Sequence, residues 1–175
     1  MRWALWVFLL LASLGCAAEG EGSYTVIHVQ ADKLRLFWRD EQGKPLRRLD
    51  RLASWLKTQG KTLAFGMNAG MYHADASPVG LLVIDGRELA PLNLAYGKGN
   101  FFLKPNGVFF IDAQGPHVVD AADYPTTHEG VSLATQSCPL LLKHGQIHPA
   151  LSPNSASRYI RNGVCAAGSQ GVLVI

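Results

Sequence analysis

Three glycine-rich polar segments carry the side chains best suited to chemistry. The first, Gly66-Met67-Asn68-Ala69-Gly70-Met71-Tyr72, runs on to Asp75, Ser77 and Pro78. Glycine lets a backbone approach a ligand closely, and an asparagine at a strand end offers both a donor and an acceptor. An ordinary strand-to-loop transition uses the same residues. The second segment, Tyr96 to Gly107, sets Lys98 between Gly97 and Gly99 and Lys104 before Pro105. Gly-x-Gly beside a lysine can turn backbone N–H groups toward a phosphate, and it serves equally as a plain turn. The GxxxxGK[ST] spacing of a P-loop is absent, which argues against nucleotide binding. The third comprises Thr135-Gln136-Ser137-Cys138-Pro139 and, further on, Arg158 to Gly163. Arg161 there has the side chain best shaped for a two-pronged grip on phosphate or carboxylate, against the alternative of a surface arginine at a turn. No GxSxG elbow surrounds Ser77 or Ser137, so no serine hydrolase triad is assigned.

Composition narrows the classes. The chain has 175 residues, 48% apolar and 17% charged, with formal charge +3. That is the length and balance of one globular domain, not of a disordered or collagen-like chain. Its basic residues form no clustered footprint for nucleic acid. Arg2 is followed by the uncharged stretch Trp3 to Ala18, which closes on Gly15-Cys16-Ala17-Ala18. This is the layout of a secretory signal peptide, and it predicts that residues 1–18 are removed and 19–175 reach the periplasm or the exterior. The stretch falls short of the ~20 apolar residues that span a bilayer. Ser13-Leu14-Gly15-Cys16 partly resembles a bacterial lipobox, which makes a lipid anchor at Cys16 the alternative fate.

Beyond residue 18 the remaining cysteines are Cys138 and Cys165. They either pair in an oxidising compartment or sit apart as small buried residues. No CxxC pair occurs, and no two histidines show HxxxH spacing in a helical segment, so no metal or other cofactor is expected.

The elements that must position these groups are short. Tyr24 to Gln30 and Leu34 to Trp38, separated by Ala31-Asp32-Lys33, predict a hairpin. Leu46, Leu49, Leu52, Ala53 and Leu56 recur at helical spacing between Pro45 and Gly60, with Arg47, Arg48, Arg51 and Lys57 on a solvated face. Short apolar runs follow at Thr62–Met67, Gly80–Ile84, Phe101–Leu103, Val108–Ile111, Val118–Val119 and Pro139–Leu142. Asp85-Gly86, Asn106-Gly107 and Asp112 to Gly115 are turn signals between them. The expected fold class is α+β: a mixed, mostly antiparallel sheet with the amphipathic helix packed on it. The apolar run Gly171 to Ile175 reads as a terminal strand, either buried or followed by further chain.

In order along the chain, Phe65 to Tyr72, Ser77 to Leu81, Gly99 to Phe109, Thr135 to Leu141 and Arg161 to Val164 resemble the phosphodiester glycosidase domain family from about Tyr24 to Ile175. The resemblance implies hydrolysis of a sugar-to-phosphate linkage in a phosphate-linked carbohydrate. Two features depart from it. Cys138 stands where bacterial relatives commonly carry glycine, and relatives continue past the equivalent of Ile175 to an Asp-Gly-Gly motif. The chain is accordingly expected to stop before the last catalytic segment and to be inactive or poorly folded alone. Glycoside hydrolysis ordinarily uses two carboxyl groups, but phosphate is already a good leaving group, so holding its charge matters more than protonating it. The expected catalytic set is Arg161 on the phosphate with Asp75 or Glu129 as base or nucleophile. Asn68, Gly70, Ser77, Lys104, Gln136, Ser137 and Asn162 are the expected substrate-binding residues. A binding module that recognises phosphoglycan without cutting it is the competing expectation.

Overall fold

Turn residues set the lengths of the elements. The computed structural model describes residues 24–174 apart from Thr126, His128 and Arg158. Its elements are β1 (Val26–Gln30), α1 (Leu49–Thr58), β2 (Leu82–Ile84), β3 (Arg87–Ala90), β4 (Gly107–Asp112), β5 (Gly115–Asp120), β6 (Leu133–Ser137), β7 (Leu142–Lys143), β8 (Gln146–Ile147), β9 (Gly163–Ala167) and β10 (Gln170–Val174). The expected signal peptide and Cys16 fall on residues 1–23, outside the described residues. Among the described residues no helix is long and apolar enough to cross a membrane.

The fold is α+β, mostly β, with strands paired antiparallel throughout. Five strands form the main sheet in the order β3-β2-β6-β4-β5, three form a second sheet in the order β1-β10-β9, and β7 and β8 make a small hairpin. Asp85-Gly86 turns β2 into β3 with both residues at positive φ, as a tight two-residue hairpin requires. The expected turn at Asp112 to Gly115 links β4 to β5, its Asp112 carboxylate accepting from the Gln114 N–H at 2.8 Å.

Burial explains why β4 is apolar at consecutive positions instead of alternating. Val108 and Phe110 face one core with Leu81, Val83, Tyr124 and Ala134. Phe109 and Ile111 face a second core with Leu133, onto which Leu34, Leu36 and Val164 of β9 pack. A strand covered on both faces gains by being hydrophobic throughout. α1 leans on the chain that precedes it: Trp55 meets Phe37 edge to face at 5.8 Å, and its indole N–H donates to Glu41 at 2.7 Å.

Several local expectations change. Leu34 to Trp38 does not pair with β1. A 3-10 turn at Ala31–Lys33 redirects the chain so that Leu34 and Leu36 enter the second core, and β1 takes β10 as its partner, Val26 opposite Val174. Phe101 to Leu103 is no strand, because Asn100–Phe102 coils into a 3-10 turn that buries Phe101. Thr62 to Met67 joins no ladder, and Pro139–Leu142 contributes Leu142 alone to β7. Asn106-Gly107 opens β4 instead of closing a hairpin, since the Pro105 and Asn106 carbonyls accept from Leu140 and Ala121. The helix begins at Leu49, not beside Pro45, because Arg47 lies at φ 61°, outside helical backbone. Arg47 stays exposed but stands outside the helix, its guanidinium donating to the Ala74 and Asp75 carbonyls at 3.2 and 3.0 Å.

One buried amide ties the sheet to the loops around it. Gln136 is 1% exposed. Its Oε1 accepts from the N–H groups of Leu81 and Asn93 at 3.1 and 2.9 Å, while its Nε2 donates to the Asn93 carbonyl at 2.8 Å. Asn93 in turn donates to the Val79 carbonyl at 2.8 Å. Gly80 has to be glycine here: a Cβ would lie 2.8 Å from Phe101 Cζ and closer still to Gln136 Oε1. Gln136→Ala strands two N–H groups and a carbonyl, so it should cost about 3 kcal/mol and lower Tm by roughly 6–12 °C. Gly80→Ala should cost about 2 kcal/mol by overpacking and visibly less in the Gln136→Ala background. Urea unfolding of the two single variants and the double variant measures both terms.

Candidate functional site

The polar segments converge on the C-terminal end of β6. Gly70 presses against it so closely that a Cβ would lie 2.7 Å from Thr135 Oγ1 and 3.0 Å from the Gln136 carbonyl. On its two flanks, Leu81 accepts from the Gln136 N–H at 3.0 Å and Gly107 of β4 lies opposite Ser137. The chain beyond β6 is gripped in turn: Cys138 Sγ donates to the Leu103 carbonyl at 2.8 Å and the Leu140 N–H to the Pro105 carbonyl at 2.9 Å. Across the top, Asn162 Nδ2 donates to the Asn68 carbonyl at 2.6 Å, joining residues 94 positions apart. All five ordered segments thus meet around one strand end.

Asn68, Gly70, Lys104, Ser137 and Asn162 are brought together there. Gln136 lies beneath them as part of the frame, its amide making three hydrogen bonds. Arg161 is exposed next to the joint, with Nη2 donating to the Ser157 carbonyl and hydroxyl at 3.3 and 2.9 Å. Its neighbour Arg158 falls outside the described residues. Asp75 and Ser77 sit at the tip of a small hairpin rooted beside Gly70, in which Tyr72 bridges to Pro78 and Val79 donates to Met71 at 3.0 Å. The tip is pinned from outside by Arg47 and by the Trp38 indole, which donates to the Ala76 carbonyl at 2.7 Å. Glu129 stands apart. It is exposed in the turn leading into β6 from the opposite end, the end at which Gly86 donates to Ser132.

Electrostatics separate the candidates further. Asp75 Oδ1 accepts from the Ser77 hydroxyl at 2.6 Å and from the Ser77 N–H at 2.9 Å. These bonds, the hydroxyl first, hold its carboxyl below the usual range. A carboxylate stabilised this way stays ionised, which leaves it ill suited to act as an acid and tempers it as a base. Burial pushes the Cys138 thiol up, so it stays protonated and serves as a donor. The two cysteines are unpaired, Cys138 half-buried and Cys165 exposed. Among the described residues no group of three His, Cys, Asp or Glu side chains could hold a metal ion.

Three residues of this frame are not among the expected site residues, Asn106 reading in the sequence as part of a turn signal. Asn93 completes the Gln136 network. His148, buried, faces the Lys104 carbonyl with Nε2 at 2.9 Å and accepts from the Ala150 N–H with Nδ1 at 3.1 Å. Asn106, at 0% exposure, has neither amide atom hydrogen-bonded among the described residues. No periodicity or spacing marks Asn93 or His148, because each acts across a long sequence separation. A recess of about 460 Å³ adjoins the cluster, lined by Val79, Gly80, Leu92, Asn93 and Ala95.

A family model described as phosphodiester glycosidase matches residues 61–175, the stretch that holds all five segments. The uncharacterized protein YigE of Escherichia coli (strain K12) is 36% identical over 142 residues, which cover 81% of this chain and 55% of the relative. The chain therefore spans about half the length of that curated relative. No solved structure matches it. With the match running over most of the chain and across the whole cluster at the end of β6, the protein belongs to the phosphodiester glycosidase family.

Proposed function

We propose that this chain, exported by its N-terminal segment 1–18, carries the site of a hydrolase that cuts the bond between a sugar and a phosphate in a phosphate-linked carbohydrate of the envelope or exterior. The observation that carries the reading is the Asn162–Asn68 bond, which sets Arg161 beside the first glycine-rich segment. Arg161 and Lys104 hold the phosphate, whose charge grows as the linkage breaks. Asn68, Ser137, Asn162 and the backbone at Gly70 orient the sugar. Asp75, ionised, takes a proton from the attacking water. That water adds to the anomeric carbon, the carbon–oxygen bond to phosphate breaks, and the phosphate monoester leaves with the electron pair. No strong acid is needed on the leaving side, which fits a site where the nearer carboxyl is held deprotonated. Glu129, at the far end of β6, is not part of this set.

The second reading, recognition of phosphoglycan without turnover, is favoured by one observation: the Asp75 carboxylate is already committed to Ser77. The two separate on a single residue. In the full-length protein, Asp75→Asn should cut kcat on a sugar phosphodiester by 10²- to 10⁴-fold, the range of a lost general base, while Glu129→Gln stays close to wild type. Full turnover in Asp75→Asn sinks Asp75 as the base. Binding without product release in the wild type selects the second reading.

A pH test follows from the hydrogen bonds at Asp75. Activity that needs the carboxylate is present above its pKa and lost as pH falls through it. Ser77→Ala removes the bond that lowers that pKa, so the acid limb of kcat/KM should move to higher pH, toward the ordinary carboxylate value near 3.9. A limb that stays in place or moves to lower pH contradicts the assignment.

A further inference from the structure

Two tyrosines near the cluster stand in water with a cation over the ring. Tyr96 is 89% exposed and Tyr159 is 74% exposed. Each carries a cation over its ring: Lys104 Nζ lies 5.8 Å from the Tyr96 centroid and Arg161 Cζ 5.3 Å from the Tyr159 centroid. The cations are the two already assigned to phosphate. The segments that bear them run past the same two consecutive residues: the Pro105 carbonyl accepts from the Leu140 N–H, and a Cβ on Gly163 would lie 3.8 Å from Leu141 Cδ1. His148 links Leu141 to Lys104, its N–H donating to the first and its ring facing the carbonyl of the second. Tyr96 also directly follows Ala95, which lines the recess beside the cluster.

An exposed aromatic ring with a cation on one face offers its other face to an apolar surface and the cation to an anion. The C–H face of a pyranose and an adjoining phosphate are such a pair. From two like units mounted on one frame we infer that Tyr96 with Lys104 and Tyr159 with Arg161 form two phosphosugar-binding subsites. Together they seat a phosphoglycan chain with at least two phosphosugar units, not a single phosphosugar. The inference rests on the phosphate-linked substrate proposed above and adds to it that recognition extends past the linkage being cut. Two weak subsites on one chain reinforce each other because engaging the first raises the effective concentration at the second.

The test compares a synthetic probe with one sugar phosphodiester unit against a probe with two, by calorimetric titration of the full-length protein. The wild type should bind the two-unit probe at least tenfold tighter. Tyr96→Ala or Tyr159→Ala should remove most of that gain while Tyr96→Phe and Tyr159→Phe keep it, because the ring and not the hydroxyl is used. Both positions are exposed, so the variants should fold with unchanged Tm. Equal affinity for the two probes, or a gain that survives both alanine variants, overturns the inference, and so does binding of neither probe. Turnover of the one-unit probe is scored separately. Tyrosine-dependent binding without turnover keeps the subsites and discards the hydrolase, whereas turnover with no preference for the longer probe does the reverse.

Discussion

The side-chain amide of Gln136 is the constraint on which the rest of the arrangement depends. β6 is already bonded on both flanks, to β2 and to β4, and its outermost buried side chain reaches sideways to bond Leu81 and Asn93 as well. A buried amide bonded to three backbone groups is directional, unlike an apolar contact, so it fixes the position of the chain on either side and not just its proximity. The glycine after Pro78 and Val79 has a mechanical explanation in consequence: Gly80 leaves room for the amide. Gly70 does the same for the β6 backbone. Such glycines mark close approach of one chain segment to another, and the polar groups beside them are positioned because of it.

The parts of the fold set by neighbours in sequence were legible. Asp85-Gly86 can adopt the tight turn that few other pairs tolerate, Asp112 to Gly115 closes the next hairpin, and the leucine spacing from Leu49 to Leu56 makes the helix. The parts set by partners far away were not. Leu34 and Leu36 have the alternation of a strand, but their periodicity serves the second core, and nothing local says that β1 belongs to β10. Arg47 carries a helical leucine pattern on either side and still leaves the helix, drawn to two carbonyls of the Ala74–Asp75 turn. Every segment of the candidate site was visible as polar and glycine-rich. Their meeting at one strand end was not, because the bonds that join them, such as Asn162 to Asn68, span most of the domain.

Cys138 shows how a departure from a family pattern is absorbed. Where the resemblance leads one to expect glycine, this chain places a thiol that donates to the Leu103 carbonyl. The peptide bond that follows, to Pro139, is cis, as is Lys104–Pro105 on the facing segment. The two prolines lack N–H groups, so neither competes for the acceptors that Leu140 and Cys138 use. The thiol works as a small polar wedge between these two turns, with burial keeping its proton in place.

The pairing of β1 with β10 bears on the order in which the molecule comes together. β2 to β6 all lie between Leu82 and Ser137, so the main sheet forms from segments that leave the ribosome within a short interval. β1 is made early and its ladder partner late, so closure of the second sheet carries the largest sequence separation in the fold and is the slowest kind of contact to establish. Until then β1 has an unpaired backbone and a sheet edge to offer, the circumstance in which chains join wrong partners. By the same reasoning this sheet, joined to the main one chiefly through β5 and β9, is the natural place for the native molecule to open first.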